Sequence, residues 1–261
     1  MPHFFIKSEN INNGFAIIND EENYRHIARS LRARSGEKLL LIDENKIQYE
    51  TVIEQITSRE ITAKIETSYQ SNRNLDFGLY LAQSPLRSDA QSVIIEKAAE
   101  LGAAAVYPVL TDNCSVNKSV IEKKITKWQR IMYEASKQCE RADIPVCENL
   151  TTLEYLISSR NKSVSDDMNG RNVIFDKVIA FCERIADMTL HEYCCKNPFK
   201  KGENVLVIIG PEGGFSDREF ELFKTHNIPM LTLGDLILKA DTAVVVALGN
   251  IIYEYTNYGK N

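Results

Sequence analysis

Val205-Leu206-Val207-Ile208-Ile209-Gly210-Pro211-Glu212-Gly213-Gly214-Phe215-Ser216 is a run of aliphatic residues leading straight into a glycine-rich turn, and its reading decides the fold. Consecutive aliphatic side chains without polar alternation belong to a strand buried on both faces, as in a parallel sheet covered by helices. The glycines at 210, 213 and 214 let the chain turn and leave backbone groups open to close approach. Ser216, followed three residues later by Glu219, is a capping box for a helix over 217–226. Open α/β sheets bind ligands beyond the carboxyl ends of such strands. The turn is neither Gly-x-Gly-x-x-Gly nor a Walker loop, since no Lys-Ser/Thr follows, so dinucleotide and triphosphate cradles are disfavoured.

Downstream, Leu231-Thr232-Leu233-Gly234 again ends a short strand in a glycine. The half-apolar segment Leu236-Ile237-Leu238-Lys239-Ala240 separates it from a last apolar helix over 241–255. An apolar loop with open backbone groups suits a purine ring, whose edge carbonyls and amides can read without charged side chains. Upstream, strands are expected over 77–82, 105–109 and 178–181, and helices over 88–101 and 120–141. The second of these carries Ile121, Ile125, Trp128, Met132, Ala135 and Cys139 on one stripe, which makes Trp128 a core residue. Alternating strands and helices imply a parallel sheet covered on both faces. Residues 158–172, rich in Ser, Asn, Asp and Lys, read as a long surface loop.

Residues 1–72 read differently. Strands over 4–7, 14–18, 37–43, 47–56 and 61–68 are broken by one helix over 21–31, with Tyr24, Ile27 and Leu31 on its apolar face. That is the pattern of a small β-barrel with one helix, joined through the polar link Ser71-Asn72-Arg73-Asn74 to a second domain over 73–261.

Composition narrows the classes. The chain has 261 residues, 44% hydrophobic, enough for a core, so wholesale disorder is excluded. No apolar run reaches the roughly 18 residues of a membrane span, and the first residues lack a secretory signal. A cytoplasmic protein is expected. Six cysteines without a Cys-x-x-Cys pair, and four histidines not clustered with them, give no support to a metal site. A net charge of -5 argues against non-specific coating of nucleic acid. It leaves room for local basic patches at Arg25, Arg29, Arg32, Arg34 and Lys38, and at Lys118, Lys123, Lys124, Lys127 and Arg130.

Five ordered motifs make the reading specific. They are His26-Ile27-x-Arg29-x-Leu31-Arg32 with Gly36; Glu96-Lys97-Ala98-x-Glu100-Leu101-Gly102 with Pro108; the stretch from Trp128 through Ala135, Gln138 and Arg141 to Pro145; Phe181-Cys182-Glu183-Arg184; and the two glycine turns already quoted. Together they span nearly the whole chain. In this order they resemble the bacterial 16S ribosomal RNA (uracil-N3)-methyltransferase family, one of the knotted SPOUT methyltransferases. The resemblance implies a PUA-like β-barrel that helps hold RNA, then an α/β domain whose last part is threaded as a deep trefoil knot. It implies S-adenosylmethionine as methyl donor, 16S ribosomal RNA of the small subunit as substrate, a homodimer, and neither metal nor membrane.

Carried over by motif, the cofactor loops fall at Phe181, Cys182 and Glu183; at Ile209, Gly210, Pro211, Glu212, Gly213 and Gly214; and at Leu233, Gly234, Ile237 and Leu238. Arg141, Glu212 and Lys239 are the candidate catalytic residues, with Arg141 first for holding RNA or a developing uracil anion and Glu212 first a loop-orienting acid. Arg25, Arg29 and Arg32 are candidates for RNA phosphates. Glu219 reads as a helix cap. Leu236 and Lys239 stand where the family usually carries arginine, and Asp241 where it carries glutamate. Lys239 keeps a charge without the bidentate fork, and Leu236 has none. Two other readings remain open here: a knotted methyltransferase acting on another RNA, and a ribosome-binding assembly module that has lost turnover.

Overall fold

The computed structural model describes every residue except Ser88, 159–172, Arg184 and 259–261. The surface loop expected over 158–172 therefore lies, past Ser158, outside the described residues. The chain divides into two units: Met1–Asn74 with Ser136–Ile144, and Leu75–Ala135 with Pro145–Asn261.

The first unit is built on six strands: β1 (His3–Phe5), β2 (Ile11–Asn12), β3 (Phe15–Ile18), β4 (Lys38–Ile42), β5 (Ile47–Ile56) and β6 (Ile61–Gln70). They form one sheet in the order β1-β4-β5-β6-β3-β2, antiparallel except for the parallel β1–β4 pair. The long β5–β6 hairpin shifts register at Glu50/Thr51 and at Ile53/Gln55. Such bulges bend a strand pair and strengthen its twist. Phe4, Ile18, Ile27, Leu39, Leu41, Ile53 and Ile61 fill the core beneath it.

The helix expected over 21–31 is there, with a change of pitch. Asp20 caps α1 (Glu21–Tyr24) by accepting from Asn23 N at 2.8 Å. The chain then widens into a π-helical turn over Arg25–Ser30, closed by Leu31 N donating to His26 O at 2.9 Å. The wider turn rotates the later side chains off the expected stripe. Ile27 is fully buried, whereas Leu31 is exposed instead of packed.

The second unit carries eight parallel strands: β7 (Gly78–Gln83), β8 (Ala105–Leu110), β9 (Val146–Cys147), β10 (Thr151–Thr152), β11 (Lys177–Phe181), β12 (Met188–Thr189), β13 (Asn204–Ile209) and β14 (Met230–Thr232). Their order is β10-β8-β7-β13-β11-β14-β12, with β9 also beside β8. The aliphatic strand of the opening quotation, β13, lies between β7 and β11, and both of its faces are covered. Val205, Val207 and Ile209 join the core that holds Ile94 and Ile95 of α2 (Ala90–Glu100), Trp128 of α3 (Lys118–Gln138) and Val244 and Leu248 of α7 (Ala240–Tyr258). Leu206 and Ile208 join the opposite core, with Leu156 of α4 (Leu153–Ser158) and Phe223 of α6 (Asp217–Thr225). A strand buried on both faces has no polar side to alternate, which is why its sequence is continuously aliphatic.

Trp128 is only 2% exposed, as its place on the apolar stripe of α3 requires. That helix stops short of the expected residue 141. Glu140 takes a left-handed φ of 56°, and Arg141 N returns to Ser136 O at 3.0 Å. Arg141 is thereby folded back and buried. Among the described residues, no helix is long and apolar enough to cross a membrane.

Candidate functional site

Because every strand of the second sheet is parallel, the loops after β7, β8, β11, β13 and β14 all leave from one edge. Hydrogen bonds between loop residues tie three of them together. Ser84 N donates to Ile209 O at 3.2 Å, and the buried hydroxyls of Ser84 and Thr111 meet at 2.6 Å. The loop after β8 then grips the glycine turn: Asn113 Nδ2 donates to Gly213 O and Gly214 O at 3.3 and 3.1 Å.

Glu219 stands at the centre of this arrangement, 1% exposed. Its Oε2 accepts from Ser216 N at 2.8 Å, completing the capping box of α6. Its Oε1 accepts from Asp112 N at 3.0 Å, across the gap between the two loops. The expected cap is present, and it doubles as a clamp between loops. Asp112 in turn accepts from Ser216 Oγ at 2.5 Å and from Arg218 Nε and Nη2 at 3.0 and 2.7 Å; the same guanidinium also pairs with Glu154. Hydrogen bonds from Arg218 and then Ser216 hold the Asp112 carboxyl below the usual carboxylate range.

A depressed folded-state value means that this contribution is present above the ordinary carboxylate pKa and is lost as pH falls through the depressed one. Replacing Arg218 by alanine is therefore expected to return Asp112 toward its ordinary value, to lower stability at neutral pH and to flatten the fall in stability on the acid side. Carboxyl-selective NMR titration of the two proteins measures both.

Sequence reasoning missed Asp112, Asn113 and Arg218. Thr111-Asp112-Asn113 signals a turn after a strand, but nothing in it names a partner a hundred residues away.

The expected cofactor residues occupy these loops. Phe181 and Ile209 are buried at the ends of β11 and β13, which pair with each other in register. Gly210 and Pro211 are buried, while Glu212, Gly213 and Gly214 are exposed. Phe215 anchors the turn, its ring edge-on to Phe223 at 5.0 Å. Cys182 is buried next to exposed Glu183, and burial, then the carboxylates of Asp187 and Glu183, push its thiol up to about 12. It is a neutral thiol, not a nucleophile.

In the last loop Leu233 and Leu238 pack against the core, whereas Leu236 and Ile237 are 80% and 63% exposed. Gly234, between them and β14, has φ of 129°, and nothing lies within 4 Å of where a Cβ would stand. Lys239 is exposed, and its carbonyl accepts the first helical bond of α7 from Ala243 N at 2.8 Å. Asp241 lies inside the first turn of α7 and accepts from Thr242 N.

This chemistry fits a nucleoside-bearing sulfonium cofactor. Exposed glycines present backbone without side chains, the Leu236-Ile237 pair offers apolar surface, and Gln83, fully buried at the end of β7 opposite Ile209, leaves its Oε1 unpartnered. Among the described residues, no three His, Cys, Asp or Glu side chains gather as metal ligands.

The first unit carries the remaining candidates. Arg25, Arg29 and Arg32 are all exposed on or just after the π-helical turn, Arg25 paired with Glu21 and Arg32 in a left-handed conformation at φ of 52°. Arg141 also belongs to this unit, with Nε and Nη2 on Asp143 Oδ1 at 3.1 and 2.9 Å.

Comparison with known proteins agrees with this architecture. The family model described as RNA methyltransferase domain matches residues 73–252, and that described as RNA methyltransferase PUA domain matches residues 18–66. Ribosomal RNA small subunit methyltransferase E of Bacillus subtilis is 25% identical over 244 residues, covering 92% of this chain and 90% of that protein. Its namesake from Aquifex aeolicus is 27% identical over 244 residues, covering 93% and 96%. A Legionella pneumophila protein solved with bound S-adenosylmethionine superposes with a TM-score of 0.80 at 25% identity, covering 96% of each chain. Ribosomal RNA small subunit methyltransferase E from Neisseria gonorrhoeae, bound to S-adenosylmethionine, superposes at 0.79 with 21% identity, covering 97% of each. With more than half of its length matched by the RNA methyltransferase domain and an RNA methyltransferase PUA domain ahead of it, the chain belongs to the RNA methyltransferase family that combines these two domains.

Proposed function

We propose that this protein methylates N3 of a specific uridine in 16S ribosomal RNA of the small subunit, with S-adenosylmethionine as donor, acting as a cytoplasmic homodimer. The observation that carries this reading is the glycine turn at 210–214, held against the loop after β8 by Glu219 and Asn113 with its backbone at Gly213 and Gly214 exposed. The relatives named above are themselves ribosomal RNA small subunit methyltransferases, and two solved neighbours hold the cofactor. A PUA-like RNA-holding domain over 1–72, a methyltransferase domain over 73–261 and a knotted C-terminal threading belong to the same proposal. The neighbouring exits of β11, β13 and β14 from one sheet edge support it.

When bound, the cofactor supplies an electrophilic methyl group on a sulfonium. The chain's own residues do the rest. Phe181, Cys182, Ile209, Leu233, Ile237 and Leu238 are assigned to apolar contacts with the cofactor, and Glu183 and the glycines at 210, 213 and 214 to its polar and backbone contacts. Uracil N3 carries a proton and pairs in a duplex, so the base must be splayed out and the proton lost or the anion stabilised. Arg141 and Lys239 are assigned to RNA and developing negative charge, and Glu212 to orienting the turn or receiving the proton. In the structure the Arg141 guanidinium is buried and pairs with Asp143. Arg25, Arg29 and Arg32 take phosphates. Most of the acceleration then comes from positioning and preorganised charge.

The test is methyl transfer from labelled S-adenosylmethionine to undermethylated small subunits, followed by nucleoside analysis. N3-methyluridine at one site is the expected product. Transfer to a different nucleoside or RNA would redirect the substrate, and the absence of both transfer and cofactor binding would leave a binding module.

Leu236 offers a finer check: it is exposed, and by the family resemblance it stands where arginine is usual. Leu236→Arg is expected to tighten RNA binding several-fold and to steepen the slope of log affinity against log salt by about 1, the signature of one added phosphate contact. A filter-binding salt titration measures it.

A further inference from the structure

The second unit carries a cluster of three functional side chains that none of the loops used above contains. His191 and Cys195 sit four residues apart on α5 (Leu190–Lys196), hence on one face of it. Cys195 Sγ lies 3.6 Å from His191 Nε2, and His191 Nδ1 lies 3.0 Å from Glu254 Oε1 on α7. Glu254 is 8% exposed, and its other oxygen, Oε2, has no partner. Cys195 itself is exposed.

The order of these contacts fixes the proton. A carboxylate only accepts, so Nδ1 must carry the hydrogen, and Nε2 of the neutral ring is left with a lone pair facing the thiol. Cys195 S–H therefore points at a base. The other thiols do not share this situation. Cys147, Cys182 and Cys194 are buried, and burial pushes each up to about 12. Cys114 donates to the carbonyls of Pro85 and Val116, and Cys139 to that of Ser136, neither of which can take a proton. Among the described residues, the charged groups close to α5 include Glu192 and Lys196 on it and Lys177 on β11.

We propose that Cys195, with His191 as its base and Glu254 as the positioning residue, is a reactive thiol that forms mixed disulfides with small-molecule disulfides. The proton of Cys195 passes to His191 Nε2. The thiolate attacks one sulfur of the small disulfide; the Cys195–sulfur bond forms as the disulfide's own S–S bond breaks. The departing thiolate takes up the proton from His191, so one thiol and one disulfide give one mixed disulfide and one small thiol. This chemistry is independent of methyl transfer.

The test exposes the reduced full-length protein to oxidised glutathione and follows each cysteine by peptide mass spectrometry. Cys195 is expected to be glutathionylated first, and Cys195→Ser to lose the fast phase. His191→Gln, at an exposed position, is expected to slow the reaction about tenfold at neutral pH, because the amide that replaces the imidazole cannot take the thiol proton. The isosteric Glu254→Gln should slow it less, and both should move the rate–pH profile toward higher pH while the circular dichroism spectrum stays unchanged. Equal rates at Cys114 or Cys139, or an unaltered rate and pH profile in His191→Gln, would overturn the assignment.

Discussion

Glu219→Ala is expected to unfold at markedly lower denaturant and to bind S-adenosylmethionine about tenfold more weakly. The carboxylate accepts from two backbone N–H groups, those of Ser216 and Asp112, and is almost completely buried. Truncation leaves both donors without their acceptor and removes half of the α6 capping box. A lost cap and two part-buried donors left without their acceptor together cost about 1–3 kcal/mol. The affinity loss follows from the second role, because the glycine turn and the loop after β8 are no longer held to each other at Asp112. Glu219→Gln separates the two roles. Its amide oxygen still accepts from one N–H, but its amino group faces the other donor, so it should recover only part of the stability. Chemical denaturation and calorimetric titration with S-adenosylmethionine report the two quantities. A Glu219→Ala protein with unchanged cofactor affinity would show that the turn does not depend on this clamp.

Gly210→Val is expected to reduce cofactor affinity at least about a hundredfold, equivalent to roughly 2.7 kcal/mol. Here the reason is space. A Cβ at residue 210 would stand 3.2 Å from two carbons of the Phe215 ring. That ring is itself wedged edge-on against Phe223 at 5.0 Å and against Phe220 at 6.2 Å, so it has little room to retreat. Valine adds two further methyl groups, and overpacking of this kind costs about 1–3 kcal/mol. The turn must move, and with it the exposed backbone of Gly213 and Gly214. Gly234 makes the contrasting case, since added bulk there meets nothing but the backbone sits at φ of 129°. Undiminished S-adenosylmethionine binding in a folded Gly210→Val protein would place the pocket elsewhere.

The long apolar signals were read correctly from sequence. The strands at the cores of both sheets, the helix containing Trp128, the capping box at Ser216 and Glu219 and the closing helix all appear where their periodicity puts them. Each depends on local pattern, and local pattern is what a sequence displays. The two-residue strands β2, β9, β10 and β12 were not legible, because pairs such as Val146–Cys147 are strands only through the neighbour that bonds them. The seven-residue α5 was missed although Thr189 and Glu192 spell a capping box. The π-helical turn was invisible, since hydrogen bonds one residue wider leave no mark in the apolar spacing until Leu31 turns up exposed. At the site, the glycine turns were legible and their tethers were not. Asp112 to Arg218 and Asn113 to Gly214 join residues a hundred positions apart, and composition does not encode that pairing.

The central position of β13 also sets a timetable. Its neighbour β7 is made early and can pair at once with β8, but its other edge pairs only with β13, which leaves the ribosome after all of β8 to β12. During that interval Leu79 and Leu81 line a strand with an open edge, the kind of template on which nascent chains aggregate. Non-local parallel pairing of this sort is slow to form. The first unit has its own delay, because it draws in residues Ser136–Ile144 and cannot be completed from its first 74 residues alone. Both units therefore finish only when downstream sequence has emerged, so slowed or truncated synthesis should harm this protein more than a chain whose domains close in order.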